Sequence, residues 1–129
     1  MTAAGDDLAG RPETRELPVG LFGASTGAAA ALVAEAERPA LAAAIVSRGG
    51  RPDLAGESLP SVRAPTLLIV GGHDEVVLGM NREAAARMTC VHEIAVVPGA
   101  THLFEEPGAL EEVSRLAGNW FERHLVRTR

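Results

Sequence analysis

An apolar run, Val-Gly-Leu-Phe at 19–22, enters Gly-Ala-Ser-Thr-Gly at 23–27 and then an unbroken alanine-rich stretch ending in Leu32 and Val33. A strand former, a Gly-x-Ser-x-Gly turn and a strong helix former in direct succession leave the backbone little choice. The serine must sit on a sharp strand-to-helix turn, strained and pushed clear of the sheet with its hydroxyl exposed. Gly23 and Gly27 are expected to flank it because side chains would collide in so tight a turn. The following helix aims its positive N-terminus at the serine, where developing negative charge is favoured. Ser25 is therefore a candidate nucleophile for acyl transfer, and the backbone N–H of Thr26 a candidate oxyanion donor.

Strand-like and helical segments alternate along the rest of the chain. Residues 26–37 read as a helix stopped by Arg38-Pro39. Residues 42–46 and 66–70 read as buried strands, and 93–97 as a fourth, ended by Pro98-Gly99. A short helix is expected over 81–88. Residues 48–63, with three glycines and two prolines, read as mostly loop. Leu110, Val113, Leu116, Ala117, Trp120, Phe121 and Leu125 recur at helical spacing, with Glu111 and Glu112 at the start and Arg123, Arg127 and Arg129 at the end, as the helix dipole favours. Short, continuously apolar strands separated by helices predict an α/β three-layer sandwich with a mainly parallel four-stranded sheet, covered on both faces. Residues 1–16 read as a helical turn and loop ahead of a domain spanning 17–129.

Ligands of such sheets bind beyond the carboxyl ends of the strands, and the reactive residues fall there. Ser25 follows the first strand, Asp74 the third and His102 the fourth. Nucleophile, acid, base is the chain order of α/β-hydrolases. In that reading His102 takes the Ser25 proton, and Asp74 fixes the imidazole tautomer. Glu75 is a rival for the acid, and Asp74 has the plainer reading of a helix cap. Arg48 and Arg51 flank Gly49-Gly50 at the end of the second strand. Arg48, Gly49 and Gly50 are candidate substrate-binding residues, for an anionic group above all, with a solvated loop as the plainer alternative.

The remaining composition narrows the field. The chain has 129 residues, a net charge of −5 and a single cysteine, Cys90. Mild acidity, without a basic patch or an aromatic stacking surface, argues against nucleic acid and anionic membrane as partners. No apolar run is long enough to span a bilayer. One cysteine allows no internal disulfide, which points to a reducing, cytoplasmic setting. Cys90 reads as a half-buried small residue near a helix end, Trp120 and Phe121 as core, and His73, His92 and His124 as solvated. Glu105, Glu106, Glu111 and Glu112 read as charge at a helix N-terminus. No metal or cofactor is expected.

Four stretches carry a family resemblance: Leu-Pro-Val-Gly-Leu-Phe-Gly-Ala-Ser-Thr-Gly at 17–27, Ser-Arg-Gly-Gly-Arg-Pro-Asp at 47–53, Ala-Pro-Thr-Leu-Leu-Ile-Val-Gly-Gly-His-Asp at 64–74 and Pro-Gly-Ala-Thr-His-Leu-Phe at 98–104. Together they resemble the C-terminal half of an α/β-hydrolase of the dienelactone hydrolase-like group. The similarity is strongest to hydrolase domains found alone or fused to phosphoribosyltransferases. The resemblance implies hydrolysis of a small ester, lactone or thioester through an acyl-serine formed on Ser25, with Asp74 and His102 completing the triad. Dienelactone hydrolases proper use a cysteine nucleophile, so Ser25 does not imply that substrate. The resemblance also implies upstream strands, and a second oxyanion donor on them, that have no counterpart in this sequence. A truncated hydrolase-like domain serving as an interaction or dimerisation module is the competing expectation. The elbow strand at 19–22 then has a neighbour on one side only, and a homodimer or a heteromeric partner is expected to cover its other edge.

Overall fold

The computed structural model describes residues 20–24, 26–38 and 42–125. The reading of 1–16 as a helical turn, and Ser25 itself, lie outside the described residues. Four strands, β1 (Gly20–Ala24), β2 (Ala44–Arg48), β3 (Thr66–Gly71) and β4 (His92–Val97), form one sheet in the order β1-β2-β3-β4. Every pairing is parallel, with Ala24 opposite Arg48, Arg48 opposite Ile69, and Gly71 opposite Val97. The connections carry α1 (Thr26–Glu37), a 3-10 segment (Pro52–Ser61) and α2 (Glu75–Arg87); α3 (Ala109–His124) closes the described chain. The predicted α/β class, parallel sheet and three layers are all observed.

Strand alternation sorts the core into two halves. Ile45 and Leu68 face one side, where they pack with Ala29 and Leu32 of α1, Leu59 of the 3-10 segment, and Ala84, Ala85 and Met88 at α2. Ala44, Val46, Leu67 and Ile69 face the other side, against Val113, Ala117 and Trp120 of α3 and against Phe104. β2 and β3 are buried almost end to end, as central parallel strands are. β1 and β4 are the outer strands, and each is partly exposed. The Trp120 indole N–H donates to the Pro65 carbonyl at 3.2 Å, which fixes α3 across the sheet.

Several expectations need correction. α2 starts at Glu75, not at Asn81. β-branched Val76 and Val77 and flexible Gly79 hide a helix start, yet the Leu78 N–H already bonds the Asp74 carbonyl at 2.9 Å. The expected loop at 48–63 contains the 3-10 segment. It is broken at Gly56 (φ 53°, ψ −120°) and anchored by buried Pro52, Ala55 and Leu59. Leu110 is 52% exposed and drops out of the buried stripe, which runs instead through Ala109, Val113, Ala117 and Trp120. Gly23 behaves as expected, since a Cβ there would lie 2.7 Å from the Ala28 backbone. Gly27 does not: an added Cβ meets nothing among the described residues within 4 Å. His124 is only half-exposed because its ring stacks on Trp120, with centroids 4.3 Å apart.

Candidate functional site

The carboxyl ends of the strands bring the chemistry together. β3 runs into Gly71-Gly72, and Asp74 then takes the N-cap position of α2. Its side chain makes no cap hydrogen bond there. Asp74 Oδ2 lies instead 2.9 Å from His102 Nδ1. A carboxylate can only accept, so the imidazole donates from Nδ1. That contact separates the two readings of Asp74: the side chain is committed to the histidine, not to the helix. Glu75, the rival acid, is exposed in the first turn of α2. The Asp74 side chain is 15% exposed and that of His102 40%, so the pair is sheltered on the acid side and open on the base side.

The loop that presents His102 is held from three directions. His73 N–H donates to the Ala100 carbonyl at 2.9 Å, tying the turn of the acid to the loop of the base. Phe104, two residues after His102, is 1% exposed and sits in the core beside α3. It adopts a left-handed backbone (φ 57°), uncommon for a large side chain. Burying its ring holds that conformation and turns the chain over the strand ends. Glu106 supplies the third tie. Its carboxylate accepts from the Thr101 N–H at 3.1 Å and from the Thr101 hydroxyl at 2.7 Å. The Thr101 hydroxyl and backbone N–H hold the Glu106 carboxyl below its ordinary range. The sequence reading missed this role and took Glu106 for helix charge. The signal was a carboxylate set a short loop away from a threonine beside the histidine.

The end of β2 forms the floor. Gly49 has φ +54° and packs so closely that a Cβ would lie 3.2 Å from the His102 carbonyl oxygen and 3.5 Å from Nδ1. Gly49 and Gly50 are both buried. The Arg48 guanidinium lies 5.7 Å from the Phe104 ring centre, and its Nε is buried with no hydrogen-bond partner among the described residues. Arg51 is already committed. It forms a bidentate pair with Asp53, Nε to Oδ1 at 3.0 Å and an NH2 contact to Oδ2 at 2.9 Å. Of the two arginines read from sequence as possible anion contacts, Arg51 is paired with Asp53, while the buried Arg48 Nε has no hydrogen-bond partner among the described residues.

The nucleophile side is bracketed. β1 ends at Ala24 and α1 begins at Thr26, an exposed first residue of that helix. Asp74 and His102 are thus brought together as predicted, Thr26 stands at the helix start as predicted, and Ser25 lies between described residues. Cys90 is half-buried, and burial pushes its thiol up from the ordinary value, against the opposing contact with the Thr66 hydroxyl. Among the described residues no group of three or more His, Cys, Asp or Glu is placed to hold a metal, and no helix is long and apolar enough to cross a membrane.

This arrangement of parallel strands, edge turns and paired acid and base is that of the α/β-hydrolase fold. A monoacylglycerol lipase from Paleococcus ferrophilus superposes on 95% of this chain and 74% of its own with a TM-score of 0.73, at 16% identity. At that identity the likeness speaks for the fold alone. The family-level match is closer: residues 1–124 fit the dienelactone hydrolase family, to which the chain belongs. A dienelactone hydrolase from Anabaena variabilis shares 55% identity and a TM-score of 0.89, over 95% of this chain and 57% of its own. A Mycobacterium tuberculosis protein that carries the name phosphoribosyl transferase is 64% identical over 118 residues, 92% of this chain and 27% of its own length. The chain therefore spans little more than half of one relative and about a quarter of the other.

Proposed function

We propose that this chain carries the nucleophile, acid and base of a serine hydrolase acting on a small carboxylic ester, lactone or thioester. The observation that carries the reading is the 2.9 Å contact of Asp74 Oδ2 with His102 Nδ1 at the carboxyl edge of the sheet, the same edge at which β1 ends one residue before Ser25. Family membership supports hydrolysis as the reaction class. Ser25 Oγ attacks the acyl carbon while His102 Nε2 takes its proton, and Asp74 stabilises the imidazolium. The same proton goes to the leaving alcohol or thiol, and water then releases the acyl group by the reverse relay. The Thr26 N–H, at the start of α1, faces the oxyanion. Arg48, half-buried at the end of β2, offers an anionic substrate group its guanidinium. The lone, half-buried Cys90 suits a cytoplasmic setting.

A fluorophosphonate probe tests the assignment. The adduct is expected on Ser25, mapped by peptide mass spectrometry. An adduct on another residue, or unchanged esterase activity in Ser25→Ala, would overturn it.

One observation favours a second role beside the first. Among the described residues β1 pairs with β2 only, and Phe22 on it is 51% exposed. Phe121, against which Gly20 packs, also lines an open groove of about 610 Å³ with Gly118, Asn119 and Leu125 along α3. An uncharged edge strand beside an open groove of mixed polarity, which Arg115 and Glu122 also line, is a site for another polypeptide. Anabaena dienelactone hydrolase is nearly twice the matched length, so a hydrolase segment of that kind has a counterpart surface here. The expected result in light scattering is self-association, or capture by such a segment, weakened by Phe22→Glu. A stable monomer at high concentration that binds no added segment would contradict it.

A further inference from the structure

Asn81 is fully buried in the middle of α2, among alanines that pack on the sheet. Asparagine is a poor helix-interior residue, because its amide competes for backbone partners. Its Nδ2 donates to the Val77 carbonyl at 2.8 Å, one turn back, and to the Gly50 carbonyl at 3.2 Å, across the fold. Its Oδ1 is buried without a partner among the described residues. A leucine in its place would fill the same space without a stranded amide oxygen, but the Gly50 carbonyl would lose its donor. Packing alone gives no reason for an amide here, and the Gly50 bond does.

We infer that Asn81 is a positioning residue for the Asp74–His102 pair. Gly50 continues the turn whose Gly49 backbone lies against both the His102 carbonyl and its Nδ1 side. Gly49 is pinned on the other side by its N–H bond to Ile69 at 2.7 Å. Asn81 closes the turn from α2, the helix that carries Asp74 at its N-cap. One helix thus places the acid and, through Gly50, the floor under the base. Without the clamp the turn gains freedom, and the imidazole can tilt out of line with the carboxylate. This role matters for turnover only if the hydrolase reading holds, but the geometry can be tested without turnover.

Two variants separate positioning from packing. Asn81→Leu keeps the volume and removes both donors. Asn81→Ser retains a hydroxyl able to bond the Val77 carbonyl but too short for Gly50. Imidazole nitrogen shifts are measured by NMR at a pH where the rings are neutral. In the parent, His102 is expected to hold its proton on Nδ1, and in both variants to become a mixture of tautomers, while exposed His73 and His92 stay unchanged. Where esterase turnover is measurable, kcat should fall about tenfold with KM unchanged. Folded variants with parental His102 shifts would overturn the inference, as would failure of both variants to fold, which would make Asn81 a packing residue. A parent without the proton on Nδ1 would instead undermine the Asp74–His102 reading itself. No esterase activity, with the tautomer change intact, would count against the hydrolase reading and leave the positioning role standing.

Discussion

His102→Ala is expected to remove esterase activity as completely as Ser25→Ala, by at least about 10³ in kcat, and the double variant to lose no more than either single one. Nucleophile and base act as one unit: without the base the serine stays protonated, and without the serine the base has nothing to activate. Asp74→Asn should cost about 10³–10⁴, because an amide opposite Nδ1 favours the wrong tautomer while leaving the loop in place. Absolute rates in the parent should be low if the second oxyanion donor is absent, since loss of one donor costs roughly 10²–10³. Kinetics with p-nitrophenyl acetate on the parent and the four variants check these ratios. Full activity in His102→Ala would refute the relay.

The second large effect concerns packing beneath the same residues. Gly71 ends β3 where the His102 loop crosses it. A Cβ there would collide with the Ala100 carbonyl oxygen and lie 2.8 Å from the Thr101 oxygen, both backbone atoms that cannot swing aside. Gly71→Ala should therefore destabilise by about 3 kcal/mol and lower Tm by roughly 10–15 °C. It should also push the loop away from Asp74 and reduce activity in the remaining folded protein. Gly79→Ala is the contrast. Gly79 is an exposed helical position with nothing within 4 Å of the added Cβ, so the exchange should stabilise by about 0.5–1 kcal/mol. Calorimetry on the pair distinguishes close approach from mere glycine content. Equal Tm values for the two variants would contradict it.

The layout was legible in the sequence because its signals were local. A run such as Thr-Leu-Leu-Ile-Val or an Ala-rich stretch after a glycine turn declares its element within a few residues, and four such strands imply one parallel sheet. The placement of Asp74 and His102 followed from that topology, since both close a strand at the same edge. What escaped were features decided by distant partners. The start of α2 was hidden behind Val76 and Val77, whose helical state is set by packing and not by propensity. Arg51 looked available until Asp53 was seen to engage it. Glu106 and Asn81 carry ordinary surface and helix identities, and only the folded chain shows that one ties Thr101 and the other Gly50. Gly27 was assigned a crowding that the described residues around it do not show.

The all-parallel register also bears on the order in which the molecule comes together. No strand here can pair with its neighbour through a tight hairpin; each pairing waits for a helix or a 3-10 segment to cross over. Asp74 and His102 meet at a sequence separation of 28, and Asn81 reaches Gly50 at a separation of 31. Contacts of that span carry a loop-closure cost before they return any stabilisation, which slows folding and leaves apolar strand edges open meanwhile. The reactive pair is therefore a late product of assembly, formed once β4 has docked. A nascent or partly folded chain holds Asp74 and His102 but not their contact, which exists only once the sheet is closed.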